Sequence, residues 1–333
     1  MKLLRVAVVG LGKMGLLHTS LLNVFPAVEL VALCEKSALM NRLFRKVFSK
    51  SGIYVVDNLE KLRDLEVDAV YVTTPILSHY SIVKDVYAKG IARNVFVEKT
   101  LALNYGQSKE LVEISNDIGG LTMVGYMKRY SVAFSEAKKI LSQGVLGDIA
   151  SFDAYAYSSD FSKVQSGSRK SAIRGGVLSD LGSHVIDLAL WFFGDFEVEL
   201  ACSKSMLHEA SEDSVDFAVK KLGMEGEFHI SWCMDYYRMP SFGLTITGSA
   251  GTMKVDDYSL DLKLSNGDSR KWFRHDLGDY VNFFLGDSEY CREDEAFVNS
   301  ILNDDKIEPS FVTAAKVDAV IDQVKEKAKA NGN

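Results

Sequence analysis

The sequence has few cysteines, and none is placed as a disulfide framework or a zinc site requires. Its four cysteines lie far apart, with no C-x-x-C pair and no grouping with histidines: Cys34, Cys202, Cys233 and Cys291. Closely spaced cysteines mark disulfide scaffolds and metal sites. We therefore expect reduced cysteines, a cytoplasmic protein and no metal site.

The chain also lacks an excess of positive charge and any long apolar run. Its formal net charge is -7 and its pI is near 5.5. The apolar run at residues 6–11 is too short for a signal peptide and far below the ~20 residues of a membrane span. We expect neither export nor a nucleic-acid or membrane partner, so partners are small molecules or copies of the same chain.

The 333 residues exceed one ordinary core and predict two domains. In residues 1–124, short apolar runs such as "LLRVAVVG", "VELVALC", "VDAVYVTT" and "NVFVEK" alternate with segments of helical length. Later segments such as "SVDFAVKKLG" and "FGLTITGS" follow one another as strands, and two helices close the chain. We predict an α/β chain: a doubly wound parallel sheet in residues 1–124, then an α+β domain with a large, mostly antiparallel open sheet in residues 125–333.

A glycine-rich turn follows the first predicted strand. Gly10, Gly12 and Gly15 have G-x-G-x-x-G spacing and precede a helical pattern. Such glycines let the backbone turn tightly and approach a pyrophosphate at a helix N-terminus. Glu35 follows twenty positions after Gly15, at the end of the second strand, where a carboxylate binds an adenosine ribose. The turn predicts a Rossmann dinucleotide-binding domain, with NAD favoured because Glu35 repels a 2′-phosphate; nearby Lys36 leaves NADP open.

A second motif is "SDLGSHVIDL", residues 179–188, where Asp180, His184 and Asp187 interrupt an apolar stretch. Spacings of four and three residues place the three side chains on one face of a helix. Such a face is able to handle protons. The plainer alternative is that Asp180 and Ser183 start the helix and His184 is a buried, hydrogen-bonded histidine. This stretch alone leaves both interpretations open.

Several stretches, in order, resemble the glucose-fructose oxidoreductase / inositol dehydrogenase family, Gfo/Idh/MocA. "TTPILSHYSIV" and "VFVEKT" resemble its T-P-N-x-x-H and E-K-P segments, and "GGVLSDLGSHVIDLALWFFG" resembles its G-G-x-x-x-D-x-G-x-H-x-x-D helix. "GYMKRY", "GSAGTMKVD" and "AFVNSIL" resemble the opening of its second domain, its hairpin and its late helix. Ile76 stands in place of the family's asparagine and Thr100 in place of its proline.

The resemblance implies an NAD(P)-dependent oxidoreductase that transfers a hydride between nicotinamide and a secondary alcohol or ketone of a sugar, polyol or nucleotide-activated sugar. It implies three catalytic residues: His184 as proton acceptor, Lys99 stabilising the alkoxide and Asp180 orienting the substrate, with Lys99 and His184 able to exchange roles. The expected cofactor-binding residues are Gly10, Gly12, Lys13, Met14, Gly15, Glu35, Thr73, Thr74, Pro75, His79 and Glu98. The expected substrate-binding residues are Lys99, Tyr126, Arg129, Arg174, Asp180 and His184.

A basic stretch bears on the substrate's charge. "FSKVQSGSRKSAIRGG" carries Lys163, Arg169, Lys170 and Arg174, and Lys128 and Arg129 lie in "GYMKRY". Such side chains can bind phosphates or carboxylates, so an anionic substrate and a solvated basic loop are both open interpretations.

Two other functions and an assembly remain open. The fold also serves glycosidases that oxidise the sugar transiently, and non-catalytic dinucleotide sensors, although a sensor has no need of Lys99, Asp180 and His184 together. The resemblance implies a homodimer or homotetramer, and "EFHISWCMDYY" has the alternating aromatic residues of a covered sheet face.

Overall fold

The structure is a computed structural model that describes residues 3–159, 175–205, 211–281 and 287–331. The chain forms two compact units. The N-terminal unit comprises Met1–Tyr126 and Val281–Asp318, and the C-terminal unit comprises Met127–Tyr280 and Ala319–Asn333. The first change of unit lies close to the expected boundary at residues 124 and 125, but no sequence pattern indicated that a later segment returns to the N-terminal unit.

The N-terminal unit is built on a six-stranded sheet in the order β3, β2, β1, β4, β5, β6. Every pairing in it is parallel. The strands are β1 Leu4–Val9, β2 Val28–Cys34, β3 Tyr54–Val56, β4 Ala69–Val72, β5 Asn94–Glu98 and β6 Thr122–Gly125. Its helices are α1 Lys13–Leu22, α2 Ala38–Val47, α3 His79–Ala88, α4 Tyr105–Ile118 and α7 Ser288–Asn303.

The central strands explain the near-continuous apolar runs in the sequence. All residues of β4 and β5 are buried, as expected of parallel strands covered by helices on both faces. The strand order reverses between β1 and β4, and ligands of such sheets bind at the carboxyl ends of the strands at this point. This edge carries the glycine turn and the segments that follow β4 and β5.

The C-terminal unit is built on an eight-stranded sheet in the order β14, β13, β12, β11, β7, β10, β9, β8. Only β7 and β10 pair in parallel among its strands in the described residues. The strands are β7 Ile149–Tyr157, β8 Glu197–Lys204, β9 Ser214–Lys221, β10 Met224–Ser231, β11 Ser241–Gly248, β12 Gly251–Asp256, β13 Ser259–Leu264 and β14 Ser269–Phe273. The helices are α5 Val132–Ser142 and α6 Ser183–Phe193, and α8 Phe311–Asn331 begins in the other unit.

One face of this sheet is apolar and the other polar. In β10, Phe228 and Ile230 are buried whereas Glu225 and Glu227 are exposed. Helices α5 and α6 cover the apolar face. The predicted fold class is confirmed: an α/β chain with a parallel sheet followed by a mostly antiparallel one.

Two further expectations concern cysteines and membranes. All four cysteines belong to the described residues and are free thiols. None of the helices in the described part of the chain has the length and apolar character that a membrane-spanning helix needs.

Candidate active site

The glycine turn between β1 and α1 has the backbone shape that the sequence predicts. Gly10 has φ +94°, and a Cβ there would lie 3.0 Å from the Thr74 Cα. A Cβ on Gly15 would lie 1.9 Å from the Gly10 carbonyl oxygen, so α1 approaches the turn more closely than any larger residue permits. A Cβ on Gly12, the N-cap of α1, meets nothing within 4 Å.

These features fit a dinucleotide. The first turn of α1, which begins with Lys13 and Met14, has no side-chain cap, so its N–H groups are available to an anion above Gly12. NAD has a pyrophosphate of the charge and size that such a turn binds.

Both carboxylate oxygens of Glu35 accept hydrogen bonds from the backbone. One oxygen accepts a hydrogen bond of 2.9 Å from the Leu11 N–H, and the other accepts one of 2.7 Å from the Ser37 N–H. The side chain therefore stands beside the glycine turn at the end of β2. Its negative charge favours NAD over a cofactor with a 2′-phosphate.

The segment after β4 braces the same turn. The Thr73 hydroxyl donates to the Gly10 carbonyl oxygen at 2.7 Å. Thr74 and Pro75 follow, and the buried His79 lies with Nε2 2.7 Å from the Thr74 carbonyl oxygen and Nδ1 2.8 Å from the Thr100 carbonyl oxygen. Burial lowers the pKa of His79, against the opposing effect of the two carbonyls. The ring thus links the segments that follow β4 and β5.

Lys99 comes directly after β5. Its side chain is half-buried, its N–H donates to the Glu98 Oε2 at 3.2 Å, and the Lys99–Thr100 peptide bond is cis although Thr100 is not proline. Glu98 is buried at the strand end. The expected cofactor residues and Lys99 therefore share one edge of the parallel sheet.

In the C-terminal unit, the second motif does not form one uniform helix. Leu178–Gly182 is a π-helical turn, and α6 begins at Ser183. The turn carries Asp180, which is half-buried, whereas His184 is buried in the first turn of α6. π-Turns are rare and frequently occur at functional sites. The Ser183 hydroxyl makes no capping hydrogen bond, so Ser183 is the first residue of α6 but does not cap it.

The ring of His184 packs against an aromatic side chain. The rings of His184 and Phe242 meet edge to face with centroids 5.1 Å apart. The same Phe242 ring lies 5.1 Å from the Lys128 ammonium, which pairs with Asp257 at 2.7 Å. Sequence analysis missed Phe242 in β11 and Asp257 directly after β12, because neither residue belongs to one of the quoted motifs.

Arg129 and Asp187 form a buried ion pair. The guanidinium donates from Nε and Nη2 to the two Asp187 oxygens at 2.8 and 2.6 Å. Bidentate pairing of this kind is strong and directional. Asp187 lies on the same helix as His184 and holds Arg129 against that helix. Arg129, which was expected to bind substrate, is therefore paired with a carboxylate of its own unit.

Two other expected substrate residues gain no support from their surroundings. Tyr126 is fully buried. Arg174 lies outside the described residues, as do Lys163, Arg169 and Lys170 of the basic stretch.

A cluster of two carboxylates and a histidine lies on the polar face of the large sheet. The atoms of Asp153, Glu227 and His229 that are able to bind a metal ion lie within 4.8 Å of one another, in an exposed position. The His229 Nδ1 also lies 2.8 Å from Asp216 Oδ1.

Two family models match the chain, and between them they cover most of it. Residues 4–126 match an oxidoreductase family with an NAD-binding Rossmann fold. Residues 134–254 match the GFO/IDH/MocA C-terminal domain. The chain is therefore an NAD-binding oxidoreductase. It belongs to the GFO/IDH/MocA family, as its motifs predicted.

Known relatives agree with this assignment. The chain is 30% identical to the scyllo-inositol 2-dehydrogenase (NAD(+)) of Bacillus subtilis (strain 168) over 195 residues, which is 57% of this chain and 54% of that protein. It is 22% identical to the inositol 2-dehydrogenase of Rhizobium meliloti (strain 1021) over 97% of each chain. The fold is similar to that of a levoglucosan dehydrogenase solved with NADH and L-sorbose, with TM-score 0.87, 20% identity and coverage of 99% and 98%.

Proposed function

We propose that the protein is an NAD-dependent dehydrogenase that oxidises a secondary alcohol of a neutral, polyhydroxylated, sugar-like molecule. The observation that carries the proposal is the position of His184, buried at the start of α6 next to the π-turn of Asp180. The support from relatives is that two of them, named above, are inositol dehydrogenases.

The N-terminal unit supplies the cofactor site. Gly10, Gly12 and Gly15, with the N-terminus of α1, bind the pyrophosphate, and Glu35 binds the ribose hydroxyls. When NAD+ is bound, its nicotinamide accepts the hydride. The segments around this site are held in place by five residues: Thr73, Thr74, Pro75, His79 and Glu98.

Three side chains act on the substrate. His184 removes the hydroxyl proton at Nε2, because its Nδ1 is buried. The Lys99 ammonium stabilises the negative charge that develops on the oxygen, and Asp180 accepts a hydrogen bond from a neighbouring hydroxyl to orient the ring.

The surroundings of Lys128 and Arg129, the two basic residues considered above that the structure describes, favour a neutral substrate over an anionic one. Lys128 and Arg129 are both buried and paired, with Asp257 and Asp187 respectively. Their positive charges are therefore compensated within the protein. Releasing either one to bind an anion would break a buried ion pair, which is strongly unfavourable.

A substrate panel tests the proposed function. Purified protein is incubated with NAD or NADP and with inositols, free sugars, sugar phosphates or nucleotide sugars, and nicotinamide absorbance is followed. We expect NADH to form with neutral polyols. Activity confined to anionic sugars would contradict the neutral substrate, and product release without lasting NADH would indicate a glycosidase cycle.

Substitutions then assign the roles. His184→Ala and Lys99→Ala should each lower kcat by roughly 10²–10⁴-fold, the usual contribution of a positioned proton-transfer group or charge. Lys89→Ala, in an exposed ion pair with Asp85, is the matched control and should leave kcat unchanged. Near wild-type rates in the first two variants would remove those residues from the chemistry.

We also propose a cytoplasmic homodimer or homotetramer. On the polar face of the large sheet, Tyr155 and Tyr157 stack with ring centroids 5.0 Å apart, and Tyr237 lies against Tyr157 at 5.3 Å. A second copy covering these rings would bury apolar area. A monomeric mass in analytical ultracentrifugation would contradict the assembly.

A further inference from the structure

A fully buried histidine joins three elements of the N-terminal unit. His18 lies on α1, the helix that begins at the glycine turn. Its Nε2 is 3.0 Å from Glu98 Oε1 at the end of β5, and its Nδ1 is 2.8 Å from Asp294 Oδ1 on α7. The side chains of His18 and Asp294 are completely buried and that of Glu98 is 10% exposed. We call these three residues the His18 bridge.

The two contacts of the His18 bridge require two protons. A neutral imidazole has one N–H donor, and an ionised carboxyl group has none. A hydrogen bond on each side of the ring therefore needs one proton more than a neutral histidine between two carboxylates provides. Burial alone would lower the pKa of His18, but Asp294 and Glu98 outweigh it, so its pKa lies well above the ordinary value.

Other ionisable groups surround the bridge on α7 and β4. Glu293 is fully buried, and its pKa is raised well above the ordinary value, by burial first and by Glu98 second. Burial also raises the pKa of Asp294, opposed by His18. The ring centroids of Tyr71 on β4 and Tyr290 on α7 lie 5.7 and 6.2 Å from that of the imidazole. The pKa of Tyr290 is raised by burial first and by nearby carboxylates, Glu289 among them.

The bridge leads directly to Lys99. While Oε1 of Glu98 contacts His18, Oε2 accepts the Lys99 N–H. On the other side of the cis peptide, the Thr100 carbonyl oxygen lies 2.8 Å from His79 Nδ1. The backbone of Lys99 is thus held between two histidine contacts, one of them through Glu98.

We propose that His18 and Asp294 are positioning residues: Asp294 orients the imidazole, the imidazole fixes the Glu98 carboxyl group, and Glu98 holds Lys99 in the orientation that its reaction needs. The catalytic part of this proposal rests on the proposed function. The bridge connects α1, which follows the glycine turn, to the end of β5, which precedes Lys99. One imidazole therefore places α1 and β5 relative to each other.

A pair of amide substitutions separates the two arms of the bridge. The amide nitrogen of glutamine can occupy the position of Nε2 and donate to Glu98, whereas that of asparagine can occupy the position of Nδ1 and donate to Asp294. His18→Gln therefore keeps the arm that leads to Lys99, and His18→Asn breaks it. His275→Gln and His275→Asn, at a largely exposed histidine, are the matched controls.

The first readout is nuclear magnetic resonance of cofactor-free protein, which does not depend on activity. We expect the His18 ring to show two bonded protons from pH 6 to pH 8, and the backbone amide signals of Lys99 and Thr100 to shift in His18→Asn but not in His18→Gln. A His18 ring that loses its second proton near pH ~6.5, the ordinary value, would overturn the bridge.

The second readout is turnover with the polyol that the panel identifies. We expect kcat to fall at least tenfold in His18→Asn and less than threefold in His18→Gln, with little change in KM or in NAD+ affinity by calorimetry, because misplacement of a catalytic group lowers kcat. Equal losses in both variants, with equal amide shifts, would overturn positioning through Glu98.

Failure of the proposed function gives a different pattern. If no substrate on the panel is oxidised, the dehydrogenase proposal falls, yet the ring protons and the Lys99 amide still decide the bridge. If His18→Asn does not fold, Glu98→Gln replaces it: we expect the same Lys99 amide shift and kcat loss, and an unchanged Lys99 signal would contradict the proposal.

Discussion

Two histidines, one in each unit, make the same short contact with an aspartate in opposite surroundings. His18 Nδ1 lies 2.8 Å from Asp294 Oδ1, and His229 Nδ1 lies 2.8 Å from Asp216 Oδ1. The His18 side chain is 0% exposed and the His229 side chain is 36% exposed. Equal distances therefore say little about energy, because water screens one pair and not the other.

The origin of the two contacts differs as well. His229 and Asp216 are direct cross-strand neighbours of β10 and β9, so the sheet register alone brings them together. His18 and Asp294 are 276 positions apart and meet because α7 returns to the N-terminal unit. The first contact follows from strand pairing, whereas the second is part of the core.

The largest effect should come from breaking the buried contact. Asp294→Ala leaves His18 without one carboxyl partner in a dry site, so we expect a loss of about 3–5 kcal/mol in the free energy of unfolding. Urea unfolding followed by circular dichroism measures it. A loss below about 1 kcal/mol would place the buried pair in the same class as an exposed one.

The pH dependence of stability should come next in size. The pKa of His18 is raised in the folded protein, so its protonation stabilises the fold. This stabilisation is complete below the unfolded-state pKa of ~6.5 and is lost as the pH rises through the folded-state pKa. Between the two pKa values, the free energy of unfolding falls by about 1.4 kcal/mol per pH unit. The stability difference between wild type and His18→Gln should therefore shrink from pH 6 upward. The same series with His275→Gln should be flat.

Replacing Glu293 should have a smaller effect of opposite sign, because it should raise the free energy of unfolding. Neither of its carboxyl oxygens has a hydrogen-bond partner among the residues that the structure describes, and its raised pKa makes the charged form unfavourable as pH rises above ~4.5. Glu293→Gln should stabilise the protein, more at pH 8 than at pH 5. The gain is limited because the new amide is buried too. Destabilisation that grows with pH would contradict this interpretation.

The smallest effect should come from the exposed pair. Asp216→Ala should cost about 0–1 kcal/mol, and added salt should reduce even that. Trp191, Trp232 and Trp272 all lie in the C-terminal unit, so tryptophan fluorescence reports its unfolding. A loss comparable to that of Asp294→Ala would remove the distinction between the two histidines.

The same contrast explains how much the sequence could predict. The parallel sheet, the glycine turn and the position of Glu35 depend on local order and spacing, and all three are found as expected. The partners of His18 and Arg129 depend on contacts between residues 276 and 58 positions apart, which no local pattern encodes. The π-turn at Asp180 was missed because a spacing of four fits an α-helix equally well.

Candidate site residues show the same limit. Lys99, Asp180 and His184 were predicted from motif order, and their catalytic roles stay predictions; the contact of His184 with Phe242 was not foreseen. Arg129 was assigned to the substrate from its charge and its closeness to the motifs, although neither reveals a partner such as Asp187. His18 has no motif of its own, and only its burial between two carboxyl groups draws attention to it.

The return of α7 to the N-terminal unit has a consequence for the growing polypeptide. Once the ribosome has synthesised residue 126, all six strands of the parallel sheet have been made, but the aspartate that pairs with His18 has not. While the second sheet is being translated, His18 therefore lies in the core of the N-terminal unit without its Asp294 partner. A nascent chain halted before residue 288 should therefore be far more sensitive to protease in its first half than one released at full length.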